Sequence, residues 1–315
     1  MTPETAERIK RKVLQPAFKQ GMKTAVWLLK LTIPVSFAVF LLDYLEILKV
    51  IAQVTGPFFQ LFGLSGEASL VLITSYFTNI YSVIAVMSTL DLSFREGLII
   101  ANMCLIAHSL IVETGIQMKT GSKGWRMVLL RLMAGFLAAW LLNLLLPSFD
   151  GKVSLQNEVI NAGFIAGFLV WLKSIAITSL KIVILVNLLL LFQKLLNELG
   201  ILKWLERPFY PFMRGIGLAP ETSFLWLIAN TLGLSYGGAI MISETSEGKL
   251  KRKDADLLNH HIAISHSQLE DTLLFAAMGF SFPWLIFPRF ILAVAVVWLR
   301  KLELHVSVPK DLSAN

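Results

Sequence analysis

The chain has 315 residues, of which 56% are hydrophobic and only 16% charged, and its formal net charge is +7. Soluble domains usually carry about 25% charged and about 45–50% apolar residues, so this composition indicates a protein with lipid as its solvent. The basic residues lie in short gaps between apolar runs, which argues against a nucleic-acid-binding face and is typical of the cytoplasmic loops of membrane proteins.

In chain order, the sequence begins with a polar, basic stretch that has no signal-peptide pattern, and we interpret 1–23 as a cytoplasmic amphipathic segment. A membrane-spanning helix needs about 20 apolar residues. The candidate runs are 27–51, 68–90, 97–117, 127–147, 175–196, 223–242, 257–278 and 284–299, with a weaker amphipathic stretch at 162–173. Pro34 predicts a kink in the first run. These runs predict an all-α polytopic membrane protein.

Two of these runs, 68–90 and 223–242, carry polar and small residues at their centres. They include Asn79 in the former, and Asn230, Gly233, Ser235, Gly237 and Gly238 in the latter. Glycine is a poor helix former, and irregular backbone at membrane depth is tolerated only inside protein or beside a wet cavity. We therefore expect a helix break in each run. The two asparagine amides would either satisfy the freed backbone or face a solute.

The two halves of the chain align through polar residues at fixed offsets. The sequence GLSGEAS at 63–69 matches GLAPETS at 217–223, and HSLIVET at 108–114 matches HSQLEDT at 266–272. Apolar runs match by chance, but polar residues inside them rarely do. We therefore predict an internal duplication. The predicted division is 1–23 (N-terminal segment), 24–150 (first repeat), 151–173 (linker), 174–304 (second repeat) and 305–315 (C-terminal tail).

The direction of the second repeat can be judged from the Lys and Arg residues. If each broken run is a re-entrant hairpin, each half crosses the membrane three times and the second half is inverted. Most basic residues then lie on the side of the N-terminus, as the positive-inside rule requires. We predict inverted repeats in a bacterial or archaeal inner membrane, with both termini cytoplasmic. Whether the broken runs are re-entrant or cross the membrane stays open.

Ionisable side chains inside apolar spans are costly and usually functional. They are His108 and Glu113 in the third run, His266, Glu270 and Asp271 in its repeat, and Arg131 and Arg289 in the runs that follow. A structural reading pairs each half's equivalent acid, Glu113 or Asp271, with that half's arginine. The two histidines at matched positions favour a functional role. His266 and Glu270 are four residues apart and would share a helix face. With Asn79, Asn230 and Ser235, the histidines and the three acids form the predicted solute- or ion-binding set.

Glu67 and Glu221 open the two broken runs. Acidic residues are favourable in the first turn of a helix, so a structural role competes with gating for both, as it does for Gly233, Gly237 and the two arginines. A weak metal set is His261, His266 and Glu270, because the chain has no Cys partner and no HExxH pattern. It also contains no nucleotide-binding P-loop and no nucleophile elbow. We expect neither an enzyme nor a cofactor.

At 217–223, 230–238 and 266–272 the chain resembles the gate-domain family, also called nucleoside recognition domain proteins. The first half carries a looser copy, with Thr78-Asn79-Ile80-Tyr81 at the break. Members include the membrane part of the bacterial ferrous-iron transporter, the concentrative nucleoside transporters and the spore maturation membrane proteins. The resemblance implies inverted repeats that contain hairpins, with solute passage at their interface.

These observations predict a secondary, ion- or proton-coupled transporter that moves a small polar solute such as a nucleoside, or an ion, between two inverted repeats. The alternatives are divalent metal ion transport and a non-transporting membrane assembly or maturation factor. The expected partners are the lipid bilayer and the solute or ion. A homo-oligomer or a membrane partner protein is compatible with the sequence but not required by it.

Overall fold

The computed structural model describes residues 13–148, 151–153 and 163–306, and it gives the backbone alone for Leu31, Gln193, Asn197, Leu202, Lys203 and Ser235. The described residues are almost entirely helical and form no strand, apart from one isolated bridge between Ser93 and Lys152. Five segments are long and apolar enough to cross a membrane. The predicted all-α polytopic membrane architecture is confirmed.

The described part of the first half contains seven α-helices, and that of the second half repeats their order. They are α1 (Gln15–Tyr44), α2 (Ile47–Phe59), α3 (Ala68–Phe77), α4 (Ile80–Met87), α5 (Phe94–Ala107), α6 (Leu110–Lys119) and α7 (Gly124–Leu145). The second set is α8 (Phe164–Glu198), α9 (Ile201–Glu206), α10 (Tyr210–Gly215), α11 (Ser223–Thr231), α12 (Leu234–Ser246), α13 (Arg252–Ser265), α14 (Glu270–Ala276) and α15 (Phe282–Val306). The short pair α9 and α10 takes the place of α2.

Left-handed turn residues recur at matched places in the two halves. The pairs are Glu46 and Gly200, Gly63 and Gly217, Ser109 and Ser267, and Gly121 and Gly279. A positive φ is uncommon for residues other than glycine, so the agreement at Ser109 and Ser267 is not a trivial consequence of composition. The two halves therefore share helix order and turn conformation.

Several predicted boundaries fall inside helices. The boundary at 23 lies within α1, which also contains Pro34. From Phe164 onward, the stretch predicted at 162–173 and the run after it form the single helix α8, because Lys173 and Ser174 interrupt the apolar pattern without breaking a helix. The run 27–51 is divided by a turn at Glu46, whose φ is +59°. Residues 1–12, 154–162 and 307–315 of the predicted N-terminal segment, linker and tail lie outside the described residues.

Two helices form the centre of the molecule. In α5 every residue from Gly97 to Ala107 is buried, and in α13 the same holds from Leu257 to Ser265. The long helices α1 and α8 pack along each other at the outside, where Trp171 Nε1 donates to Ser36 Oγ at 3.1 Å. The ends of α5 and α13 consequently lie deep in the protein, shielded from lipid.

Candidate functional site

Each half contains a helix break at its histidine. The runs 97–117 and 257–278 were predicted as apolar spans, and the break within each was not predicted. After α5, His108 is extended and Ser109 has φ +47°. After α13, His266 is extended and Ser267 has φ +51°. His266 and Glu270 therefore do not share a helix face. No glycine or proline marks these breaks in the sequence.

The serine turns are held by backbone bonds to the other broken helix of the same half. The Ser109 N–H donates to the carbonyl oxygens of Ser75 (2.8 Å) and Thr78 (3.0 Å). The Ser267 N–H donates to the carbonyl of Ala229 at 2.9 Å. Carbonyl groups at the ends of α3 and α11 thus stabilise the non-helical turns after α5 and α13.

The breaks predicted from Asn and Gly are present, but the two asparagines do not correspond. Asn79 caps α4, with its Oδ1 accepting from the Ser82 N–H at 3.1 Å. Gly233 occupies the matching place before α12, with φ +86°. Asn230 lies earlier, in the last turn of α11, and donates to the carbonyl of Trp226 at 2.9 Å. The Asn79 side chain therefore satisfies freed backbone.

Two fully buried arginines cap the broken helices. Arg131 donates from Nε to the carbonyl of Ile106 (2.8 Å) and from Nη2 to that of His108 (2.6 Å). Arg289 donates from Nη2 to the carbonyl of His266 at 2.6 Å. The last carbonyls of a helix lack partners within it, so each guanidinium satisfies acceptors at the end of α5 or α13.

The two histidine rings face each other across the interface between the halves, with centroids 4.9 Å apart. His108 Nδ1 lies 3.0 Å from the carbonyl of Cys104, and His266 Nδ1 lies 2.8 Å from that of Ile262. A carbonyl oxygen only accepts, so each Nδ1 carries the hydrogen. Both Nε2 atoms then point towards the same space.

Glu113 lies between the two rings. Its Oε1 is 3.2 Å from His108 Nε2 and its Oε2 is 3.1 Å from His266 Nε2. The expected ion pair with Arg131 is present, at 2.6 Å. Asp271 Oδ2 is 3.5 Å from His108 Nε2. We call His108, Glu113, His266 and Asp271 the central cluster. All four are buried.

The second expected ion pair, between Asp271 and Arg289, is not among the ion pairs of the described residues. Arg289 instead donates from Nη1 to Thr272 Oγ1 at 3.3 Å, and Asp271 faces His108 of the other half. The two halves consequently differ: Glu113 binds its own arginine, whereas Asp271 reaches across the interface.

The remaining metal candidates are not brought together. His261 accepts from Trp226 Nε1 at 3.2 Å and bonds to Ser265, away from the central cluster. Glu270 begins α14, and its Oε2 lies 3.1 Å from the position that a Cβ added at Gly233 would take. The side chain of Ser235 is outside the described residues. The predicted set of His261, His266 and Glu270 is replaced by His108, Glu113 and His266, which offer three ligand atoms within 4.8 Å of one another.

The two acids that open the broken runs lie away from the helix breaks. Glu67 is half-buried before α3, and Glu221 is exposed in a 3-10 turn before α11. With a rise of about 1.5 Å per residue, each lies roughly one helix length from the break that follows. Gly237 has a packing role, since a Cβ there would lie 3.0 Å from the Ala229 Cα of α11.

A polar network between the halves was missed in the sequence. Ser122 and Arg126 come from the first half, and Asp256, Arg300 and Glu303 from the second. Arg126 pairs with Glu303, and Asp256 accepts from Ser122 Oγ and Arg300 Nε, both at 2.8 Å. We call these five residues the interhalf network. In the sequence, only the opposite charges of these residues near the ends of the spans could have indicated the network.

Comparison with known proteins agrees with this architecture. Residues 25–122 match the family model described as Gate, nucleoside recognition. The chain is 29% identical over 276 residues to YvoD of Bacillus subtilis (strain 168), described as an uncharacterised membrane protein, and the match covers 85% of this chain and 88% of that protein. No solved structure matches. The resemblance to the gate-domain family is therefore confirmed by the family match at residues 25–122 of this polytopic membrane protein.

Proposed function

We propose that the protein is a membrane transporter, and not an enzyme, that carries a small cation through the central cluster. The observation that carries the proposal is that each half contributes a histidine and a carboxylate to one buried cluster at the breaks of two spans. Ionisable groups are costly at membrane depth and mark ion pathways. Broken helices from two repeats commonly form the binding site of a secondary transporter.

An inverted arrangement of the halves is supported by contacts at the two ends of the central spans. Phe94, at the start of α5, stacks against Phe280, which follows α14, with centroids 4.7 Å apart. Ser122, which follows α6, bonds to Asp256 at the start of α13. The broken spans α5–α6 and α13–α14 thus lie side by side in opposite directions, whereas parallel repeats would bring both starts to one side.

The short helices support re-entrant hairpins. Helix α3 has 10 residues and α4 has 8, and the two pack against each other across their break. At about 1.5 Å per residue, each covers about half of the roughly 30 Å hydrocarbon core.

The charge distribution supports a cytoplasmic assignment for the side that carries the interhalf network. Lys119, Lys123 and Arg126 lie there, together with the basic stretch at 249–253 and Arg300. Positive residues concentrate in cytoplasmic loops. We therefore place this side in the cytoplasm of a bacterial or archaeal cell.

The dimensions of the site favour an ion over a nucleoside. The ligand atoms of His108, Glu113 and His266 lie within 4.8 Å of one another. Ligand atoms this close enclose room for a single ion, whereas small-molecule sites begin at roughly 300 Å³.

A second candidate function, a non-transporting assembly or maturation factor, is favoured by the closure of the cluster. Arg131 neutralises Glu113 and caps α5 at the same time, as a purely structural element would. In that case the halves would stay together without passing a solute.

Flux measurements separate the two candidates. The full-length protein would be reconstituted into liposomes loaded with fluorescent indicators for zinc and for pH. We expect a cation flux above that of protein-free liposomes, lost in His266→Gln and retained in His261→Gln, whose histidine is equally buried but outside the cluster. Folded wild-type protein that passes neither ion would refute transport of these cations and favour the assembly role.

A further inference from the structure

When both histidines are neutral, the inward-facing nitrogens of the central cluster carry no hydrogen. His266 Nε2 is buried and has no hydrogen-bond partner. Because Nδ1 of each histidine donates to a carbonyl, a neutral ring presents a lone pair at Nε2. The Glu113 oxygens at 3.1 and 3.2 Å are also acceptors. Acceptors this close repel one another unless a positively charged species lies between them.

The spacing of these atoms matches that of ligands around one metal ion. Metal–ligand bonds of about 2.0–2.2 Å in a tetrahedral arrangement place neighbouring ligand atoms roughly 3.3–3.6 Å apart. In the cluster, His108 Nε2 lies 3.2 Å from Glu113 and 3.5 Å from Asp271, and His266 Nε2 lies 3.1 Å from Glu113. Small movements of these side chains would therefore suffice for coordination.

The surroundings orient the ligands as metal sites usually require. Metal-binding histidines generally donate their other ring N–H to a carbonyl or carboxylate. His108 does so to Cys104 and His266 to Ile262, each from the position four residues later in the chain. Arg131 fixes the Glu113 carboxylate. The cluster is thus pre-organised from both halves.

We propose that the central cluster binds one divalent transition-metal cation, such as Zn²⁺, through His108, His266 and Glu113, with Asp271 beside His108 as a second carboxylate. Imidazole with carboxylate suits zinc, iron and related ions, whereas Mg²⁺ and Ca²⁺ prefer oxygen ligands alone. The proposal rests on the proposed function in that this cation is then the transported species.

The fixed charges around the site limit how tightly such an ion is held. Arg131 is fully buried and pairs with Glu113 at 2.6 Å, so it offsets the charge of that carboxylate. An arriving divalent ion therefore meets a cluster in which one of the two carboxylates is already neutralised. A transport site must release its ion as well as bind it, and this charge balance suits release.

Cobalt binding tests the proposal directly. Full-length protein, purified in detergent with a tag free of histidine, would be titrated with Co²⁺ and followed by visible absorption, which is intense for four-coordinate Co²⁺. We expect one Co²⁺ per chain, displaced by Zn²⁺. His108→Gln and His266→Gln should each weaken binding by more than the roughly 10–100-fold typical of an outer-shell change. His261→Gln should bind like the wild type.

Wild-type protein provides a test that does not depend on the folding of variants. X-ray absorption of the zinc-loaded protein should show two imidazoles and carboxylate oxygen at about 2.0–2.2 Å. No bound zinc, ligation by oxygen alone, or Co²⁺ binding that survives in folded His108→Gln would overturn the proposal. Metal binding without flux in liposomes would refute only transport, and proton flux without metal binding would refute only the metal site.

Discussion

Replacement of Arg131 by leucine tests whether the arginines hold the broken helices together. Arg131 is fully buried and donates to the carbonyls of Ile106 and His108 while pairing with Glu113. Leucine fills much of the same space but offers no donor. Two helix-end carbonyls and one carboxylate would then be buried without their partner.

The expected loss can be bounded from these contacts. Each buried acceptor left unsatisfied costs about 1–3 kcal/mol, and removal of one partner of a buried ion pair costs about 3–5 kcal/mol. The contributions overlap, so we expect Arg131→Leu to lower the free energy of unfolding by at least about 3–5 kcal/mol. Proteins are commonly stable by only about 5–15 kcal/mol, so this is a large part of the total.

Thermal unfolding in detergent measures this effect. Arg214 lies on an exposed helix position, and Arg214→Leu is the matched control, with an expected change within about 0.5 kcal/mol. The double variant Arg131→Leu with Glu113→Leu should melt above Arg131→Leu alone, because the unpaired carboxylate is gone. If Arg131→Leu melts like the control, the arginine does not cap α5 in the way described.

Two further predictions concern the second helix break and the contact between the halves. Gly233→Ala should destabilise the protein by about 1–3 kcal/mol, because φ is +86° and a Cβ would lie 3.1 Å from Glu270 Oε2. Gly248→Ala is the control, because Gly248 has φ +72° but a Cβ there would lie in open space, and it should cost less. Equal melting temperatures of the two variants would contradict this prediction. Asp256→Ala removes the acceptor of Ser122 and Arg300, so amide hydrogen exchange at the start of α13 should rise while that at the start of α5 stays unchanged. Unchanged exchange at α13 would show that the interhalf network does not close this side.

The asymmetry between the two sides follows from the side chains that join the halves. On the side of the interhalf network the contacts are ionic, as between Arg126 and Glu303. On the other side Phe94 packs on Phe280. The energy of exposed ionic contacts depends strongly on the surrounding water and salt, whereas apolar contacts do not require charge pairing. If the halves move against each other, the two sides therefore open for different physical reasons.

Much of the architecture could be predicted because it depends on local composition. Apolar runs indicate spans whatever their neighbours are, and the Asn and Gly residues near 79 and 233 predict breaks because they disfavour helix interiors. Polar residues at fixed offsets predict the duplication. The Glu113–Arg131 pair was also expected, since a lone charge at this depth is too costly.

The breaks at His108 and His266 could not be predicted, because no residue there disfavours a helix strongly. The breaks exist because the N–H groups of Ser109 and Ser267 donate to carbonyls of other helices. In addition, an arginine from a later span donates to the carbonyl of each of the two histidines. Such bonds join residues far apart in the chain. Local propensity carries no information about them.

The sequence by itself therefore determined that this is a helical membrane protein, predicted that its halves match, and indicated which residue types at membrane depth need a partner. Only the tertiary structure decided which residues those partners are. His108 and His266 lie opposite each other across the interface with Glu113 between them. Asp271 contacts His108 of the other half and not the arginine of its own half. The physical reason is that a helix pattern specifies which face is buried, but the packing of two halves specifies which buried faces touch.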